Sequence, residues 1–335
     1  MPVTALKDLH FAVVIGIDRY PGLSNLTTAQ RDARLFREWL VDPAGGGLLE
    51  ANVREVKASD REVRIEDALP TQLEVNEAFR DVQLRVQDAI SADPAAWHRT
   101  RLYVFVAGHG FKPIEGQGAL IMANATEEML GLHIELDKYR SWYEESGLFK
   151  EVLIFADCCR KEYDCRNAYG PPFSGIRTGR QTEAAVIGYA ATVGSSAYGG
   201  DGRGLFTERL LEALRGNAAD RDGNVTVHQI ETYVADLLGG VQTCEFVPRR
   251  NATVVVNVKP PKRDVVLSFP RGDLRVELVH GDNTSEVLEV ADAEHAVALY
   301  PGIYQVCPLP PDVAQFADHG LFRLPGGEGP HHVRL

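Results

Sequence analysis

Two residues carry the side chains for nucleophilic acyl transfer: His109, flanked by Gly108 and Gly110, and Cys159, flanked by Cys158 and Arg160. A thiol with its ordinary pKa near 8.5 is mostly protonated at neutral pH. A neighbouring imidazole can accept that proton and later return it to a leaving amine. The glycines beside the histidine have no Cβ, so the backbone there can approach a substrate closely. The Gly110 and Cys159 N–H groups are therefore candidate donors to a developing oxyanion. Singly these signals are modest, because a lone histidine is more often a structural residue and a buried cysteine more often a small hydrophobe. Their joint placement makes the pair a candidate catalytic dyad.

The elements needed to bring them together are legible in the hydrophobic pattern. Residues 11–17, 102–107, 152–156 and 185–190 are continuous apolar runs, as expected of strands buried on both faces. Between them, 27–40, 73–90 and 205–214 space their apolar residues as helices do. Strands alternating with helices predict an α/β fold with a mostly parallel sheet flanked by helices. In such a sheet, ligands bind at the carboxyl ends of the strands. The run 102–107 leads into Gly108-His109-Gly110, and 152–156 leads into Asp157-Cys158-Cys159-Arg160. If these strands are neighbours, their spacing of about 4.8 Å puts imidazole and thiol within reach of each other. Residues 118–123 read as a further short strand, and 225–238 as a turn leading into an amphipathic helix.

Composition narrows the partners. A formal charge of −12 over 335 residues disfavours a general nucleic-acid binder. Five cysteines, three of them crowded at 158, 159 and 165, make a poor disulfide framework and lack the spacing of a zinc site. No metal or other cofactor is indicated. Asp220, Asp222 and Asn224 imitate the start of a calcium loop, but Val225 stands where that loop needs glycine. The apolar run 11–17 is too short to span a membrane, so a soluble cytoplasmic protein with no membrane partner is expected. The proline-rich basic stretch 259–264 reads as a linker between a domain of residues 1–258 and a second of 265–335. Beyond the linker, 265–269, 273–279, 285–290, 296–299 and 303–307 read as short strands of a small antiparallel β-sandwich.

Five segments, in order, resemble the blocks of bacterial caspase-like peptidases of the metacaspase/orthocaspase type: VVIGIDRY (13–20), LTTAQRDARLF (26–36), YVFVAGHG (103–110), LIFADCC (153–159) and AATVGSSAYGGDGRGLFTERLLEAL (190–214). The 50 positions between His109 and Cys159, and the Cys159-Arg160 dipeptide, also match a caspase signature. The resemblance implies a caspase-like fold and a cysteine endopeptidase acting on protein substrates. Metacaspases usually read Asp-Ser-Cys-His at this place, which makes Cys159 the nucleophile. Cys158 then stands in the serine position, and Arg160 departs from the histidine. By the same resemblance Asp32 and Asp157 would hold a basic P1 side chain, and the backbone at Ser195 and Ser196 would line the substrate groove. The family also implies calcium activation in some members, for which this sequence holds no complete ligand set. Bacterial kinship further implies a stress or defence role in which a partner effector is cut, with the C-terminal domain available to a regulatory protein. The competing expectation is a non-catalytic caspase-like interaction module. A nucleotide-binding or serine-hydrolase protein would need a glycine-rich phosphate loop or a Gly-x-Ser-x-Gly elbow, and neither is evident.

Overall fold

The computed structural model describes residues 7–335 apart from 60, 163–168, 193–198, 201–202, 221, 240–241, 248–252, 259–261, 282–283, 311–319 and 325–329. The chain forms two compact units, Met1–Leu211 with Glu231–Thr253, and Glu212–Ile230 with Val254–Leu335.

The first unit is built on a six-stranded sheet. Its parallel strands are β1 (His10–Gly16), β2 (Val53–Lys57), β3 (Arg101–Ala107), β7 (Glu151–Asp157) and β8 (Ala184–Tyr189), in the order β8-β7-β3-β1-β2. Glu245–Val247 adds an antiparallel edge beside β8. Between β3 and β7 the chain forms a small antiparallel sheet of β4 (Gly110–Phe111), β5 (Ala119–Ile121) and β6 (His133–Glu135). The continuous apolar runs become fully buried strands, as the pattern predicts: all seven residues of β3 are buried.

Helices cover the sheet for reasons visible in their sequences. Helix α1 (Ala29–Val41) packs Ala33, Phe36 and Trp39 inward, with the Phe36 ring stacked on Phe105 of β3 at 4.6 Å. Helix α2 (Gln72–Ala92) starts at a capping box in which Thr71 and Glu74 satisfy each other's backbone N–H groups, and it buries Val75, Phe79, Val82, Val86 and Ile90. Helix α3 (Leu136–Ser146) ends at Gly147, whose φ of 64° is the left-handed conformation that closes helices. Helix α4 (Leu205–Glu212) buries Phe206, Thr207, Leu210 and Leu211. Among the described residues, no helix is long and apolar enough to cross a membrane.

The second unit holds two β-sheets around a core that includes Val265, Leu267, Val276, Leu278 and Val306. One sheet is antiparallel, in the order Ser285–Val290, Leu274–His280, Gly302–Pro308, Gly320–Leu324. In the other, Arg263–Ser268 lies between Glu294–Leu299, antiparallel to it, and His331–Arg334, parallel to it. The last strand of each sheet lies in a region where the alternation gives no strand signal. Asn224–Thr226 pairs with Val254–Asn257, so a short strand, rather than the expected turn alone, precedes helix Val227–Leu238. The Asp220 carboxylate is taken up by the N–H groups of Asp222 and Asn224, which makes the calcium-loop look-alike a self-satisfied turn.

Candidate active site

Strands β3 and β7 are neighbours in parallel register, from Arg101↔Glu151 to Ala107↔Asp157. The chain therefore leaves the sheet at the same level on both strands, and His109 and Cys159 each follow two residues later. The Gly108 N–H still reaches Asp157 O at 3.4 Å. Beyond it the two turns touch: a Cβ on Gly110 would lie 2.8 Å from Cys158 Cβ and 2.8 Å from Cys159 O. Only glycine lets them approach so closely. The pairing of β4 with β5 also fixes which way the Gly110 N–H points. The Ile121 N–H donates to His109 O at 2.9 Å, which makes Gly110↔Leu120 a non-hydrogen-bonded pair. The Gly110 N–H thus faces away from β5.

The two adjacent cysteines differ sharply. Cys158 is 1% exposed, and burial pushes its thiol well above the ordinary range. Cys159 is half-buried and opens toward solvent. Strand β7 ends at Asp157, and in the bend that follows Cys158 goes into the core while Cys159 stays partly exposed.

His109 is half-buried, and its Nε2 lies 2.6 Å from the Ser24 carbonyl oxygen, much nearer than the Ser24 hydroxyl at 3.4 Å. A carbonyl oxygen only accepts, so this contact places a proton on Nε2 and leaves Nδ1 as the acceptor in the neutral ring. The His109 N–H donates to the hydroxyl of Tyr20 at 3.0 Å, and the two rings lie 4.7 Å apart.

Asp32 and Asp157 also come together, on Gly204. Asp32, on α1, is 1% exposed and accepts from the Gly204 N–H at 2.9 Å. Asp157, at the end of β7, accepts from the Thr207 hydroxyl at 2.5 Å and the Thr207 N–H at 3.3 Å. A Cβ on Gly204 would lie 2.7 Å from Asp32 Oδ2 and closer still to Asp157 Oδ2, so the two carboxyls are neighbours. Burial, and then the charge of Asp157, pushes the Asp32 carboxyl up to about 7; burial also raises that of Asp157. Asp32 Oδ1 is buried without a hydrogen-bond partner. Among the described residues, neither carboxyl forms a salt bridge. The pair is suited to receiving a cation.

Arg160 is fully buried and its guanidinium is occupied. It donates to Glu245 at 2.6 Å and to Gln117 O at 2.8 Å, and stacks 4.1 Å from the centre of the Tyr189 ring. It braces the turn after Cys159 and presents no free charge to a substrate. Ser195 and Ser196, expected in the groove, and Cys165 lie outside the described residues. Sequence reasoning missed Ser24, whose shorter contact is made by a backbone carbonyl and so leaves no residue signature. It also missed Tyr20 and Thr207, although both lie within the blocks that carry the family resemblance.

A family model described as the caspase domain matches residues 9–254. No curated protein matches the chain. Among solved structures, the chain is similar to protein GSU0716 from Geobacter sulfurreducens, with 13% identity and a TM-score of 0.45 over 73% of this chain and 98% of that one. It is also similar to a structure of pro-sf-caspase-1, with 15% identity and a TM-score of 0.40 over 75% and 91% of the two chains.

Proposed function

Because the chain belongs to the caspase-domain peptidase family, we propose that it is a cysteine endopeptidase of metacaspase type, cutting protein substrates after a basic residue, arginine above lysine. The observation that supports the catalytic part is the close approach of the two turns at Gly110, which meets Cys158 and the Cys159 backbone at the carboxyl edge of the sheet.

In this reading His109 Nδ1 takes the proton from Cys159 Sγ, and the thiolate attacks the scissile carbonyl carbon. The Gly110 and Cys159 N–H groups receive the oxyanion of the tetrahedral intermediate. The imidazolium then protonates the leaving amine, and the acyl-enzyme remains on Cys159. Water, deprotonated by the same Nδ1, attacks the thioester and releases the acid. Throughout, the Ser24 carbonyl accepts from Nε2–H, a bond that strengthens when the ring is charged.

Specificity for a basic P1 residue rests on the Asp32–Asp157 pair. A guanidinium meets the two carboxylates with paired, charge-assisted hydrogen bonds, and the single ammonium of lysine does so less completely. An aspartate there would add a third negative charge. Arg160, committed to Glu245 and Gln117, offers no compensation.

Incubation of wild type, Cys159→Ala and Cys158→Ala with peptides differing only in P1 (Arg, Lys, Asp) tests the proposal. The expected order of turnover is Arg, Lys, then Asp, with activity abolished only in Cys159→Ala. Faster cutting after Asp would overturn the specificity, and activity in Cys159→Ala would overturn the nucleophile. Kinship supports a role in bacterial stress or defence, in which the enzyme processes an effector protein and the C-terminal sandwich holds a regulatory partner. Cellular protein fragments ending in Arg, present with wild type and absent with Cys159→Ala, are the expected sign of it.

A further inference from the structure

His109 is steered by the turn 18–26, and two side chains that take no part in the chemistry above set the shape of that turn. We propose that Tyr20 and Asn25 are positioning residues for His109, together fixing the ring orientation and tautomer that leave Nδ1 facing the thiol; the inference rests on the Cys159–His109 reading.

The Ser24 side chain is exposed, so the position of its carbonyl depends on the turn around it. Three bonds close that turn on itself, and from outside it Gln30 Nε2 donates to the Asp18 carboxylate at 2.8 Å. The Tyr20 N–H donates to Asn25 Oδ1 at 2.8 Å, the Leu23 N–H to Tyr20 O at 3.0 Å, and the Leu26 N–H to Asp18 O at 2.8 Å. Of the three internal bonds only the first uses a side chain, and Asn25 itself is exposed, so it can be changed without opening the core.

Tyr20 is 1% exposed and works from the other side. Its hydroxyl accepts from the His109 N–H at 3.0 Å and donates to Ile121 O at 3.3 Å, while its ring packs under the imidazole at 4.7 Å. One residue therefore ties the histidine backbone, the face of its ring and the turn that carries its acceptor. If the carbonyl drifts, the reason for Nε2 to carry the proton is lost. Nδ1–H becomes an accessible tautomer, and a ring in that form cannot accept from sulfur.

Two measurements on wild type, Tyr20→Phe, Asn25→Ala and Asn25→Asp test this: kcat and KM with an Arg-ending peptide, and the pH dependence of iodoacetamide alkylation at Cys159, followed by mass mapping of the labelled peptide. Tyr20→Phe is expected to lower kcat about 30-fold with KM within about twofold, the cost of a small misplacement of a catalytic group. Its alkylation curve moves to higher pH, because a misdirected imidazole no longer assists ionisation of the thiol. Asn25→Ala follows in the same direction by about fivefold, and Asn25→Asp, which keeps an oxygen for the Tyr20 N–H, restores most of the loss. A folded Tyr20→Phe with wild-type kcat and alkylation curve overturns the proposal. Should Tyr20→Phe fail to fold, equal defects in Asn25→Ala and Asn25→Asp overturn it. Failure of the dyad itself is separately visible, as activity surviving in Cys159→Ala.

Discussion

The same two strands, β3 and β7, treat buried charge in opposite ways at their two ends. At the amino end, Arg101 pairs in register with Glu151, the guanidinium donating to the carboxylate at 2.6 Å and to the Tyr103 hydroxyl at 2.9 Å. Arg101 there has an opposite charge beside it, and Tyr103 and Glu151 help hold it charged in spite of its burial. At the carboxyl end, Asp157 meets a second carboxyl, Asp32, and burial drives both toward the neutral form. A folded protein gains nothing in stability from two like carboxyls in one buried place. Arg101 and Glu151 match their charges where the strands begin, and the two carboxyls at the other end are unmatched, which is what the proposed basic P1 side chain would supply.

Substitutions at the two ends should therefore separate activity from stability. The largest effect expected is at Cys159: Cys159→Ala lowers kcat by at least about a thousandfold and leaves the melting temperature nearly unchanged. Next, Asp32→Asn should cost about a hundredfold in kcat/KM for Arg-ending peptides, the loss of a charge-assisted contact. The same substitution should raise stability at pH 8 by about 1–3 kcal/mol, read by urea unfolding. The sign follows from the raised carboxyl: the native state holds its proton up to about pH 7, whereas the unfolded chain loses it near pH 4, so wild-type stability falls as pH rises through that window. The gain of the Asn variant thus vanishes below pH 4.

Glu151→Gln should do the reverse, costing about 3–5 kcal/mol by stranding Arg101 while kcat per folded molecule stays at wild type. Equal stability losses at both ends would break the contrast. A smaller effect concerns pH. KM for Arg-ending peptides should rise as pH falls through about 7, because protonated Asp32 no longer attracts the guanidinium; neutral P1 residues should show no such rise. Cys158→Ala should have the least effect, about 1 kcal/mol of lost burial with activity within a few-fold of wild type.

The contrast also explains what the sequence made legible. The central strands were readable because burial on both faces demands unbroken apolar runs, and the site followed from where those runs end. His109 and Cys159 stand out as candidates because their chemistry belongs to a residue type. Asp32 and Asp157 came from family resemblance alone; nothing in composition says that two carboxyls 125 positions apart meet on Gly204. The Ser24 carbonyl was invisible, since every residue has one. Strand β2, with the mixed pattern VREVK, and edge strand Glu245–Val247 gave no apolar run to detect. Arg160 illustrates the opposite failure: the sequence showed a charge beside Cys159, and only the fold shows it buried and spent on Glu245, Gln117 and Tyr189.

The most direct test of the central claim is covalent trapping with a short peptidyl chloromethyl ketone ending in Arg, compared with one ending in Asp, and mapping of the modified residue by mass spectrometry. A single adduct on Cys159, formed much faster with the Arg reagent and slowed by Asp32→Asn, is the predicted result. Labelling of Cys158 in place of Cys159, or equal rates for the two reagents, would contradict it.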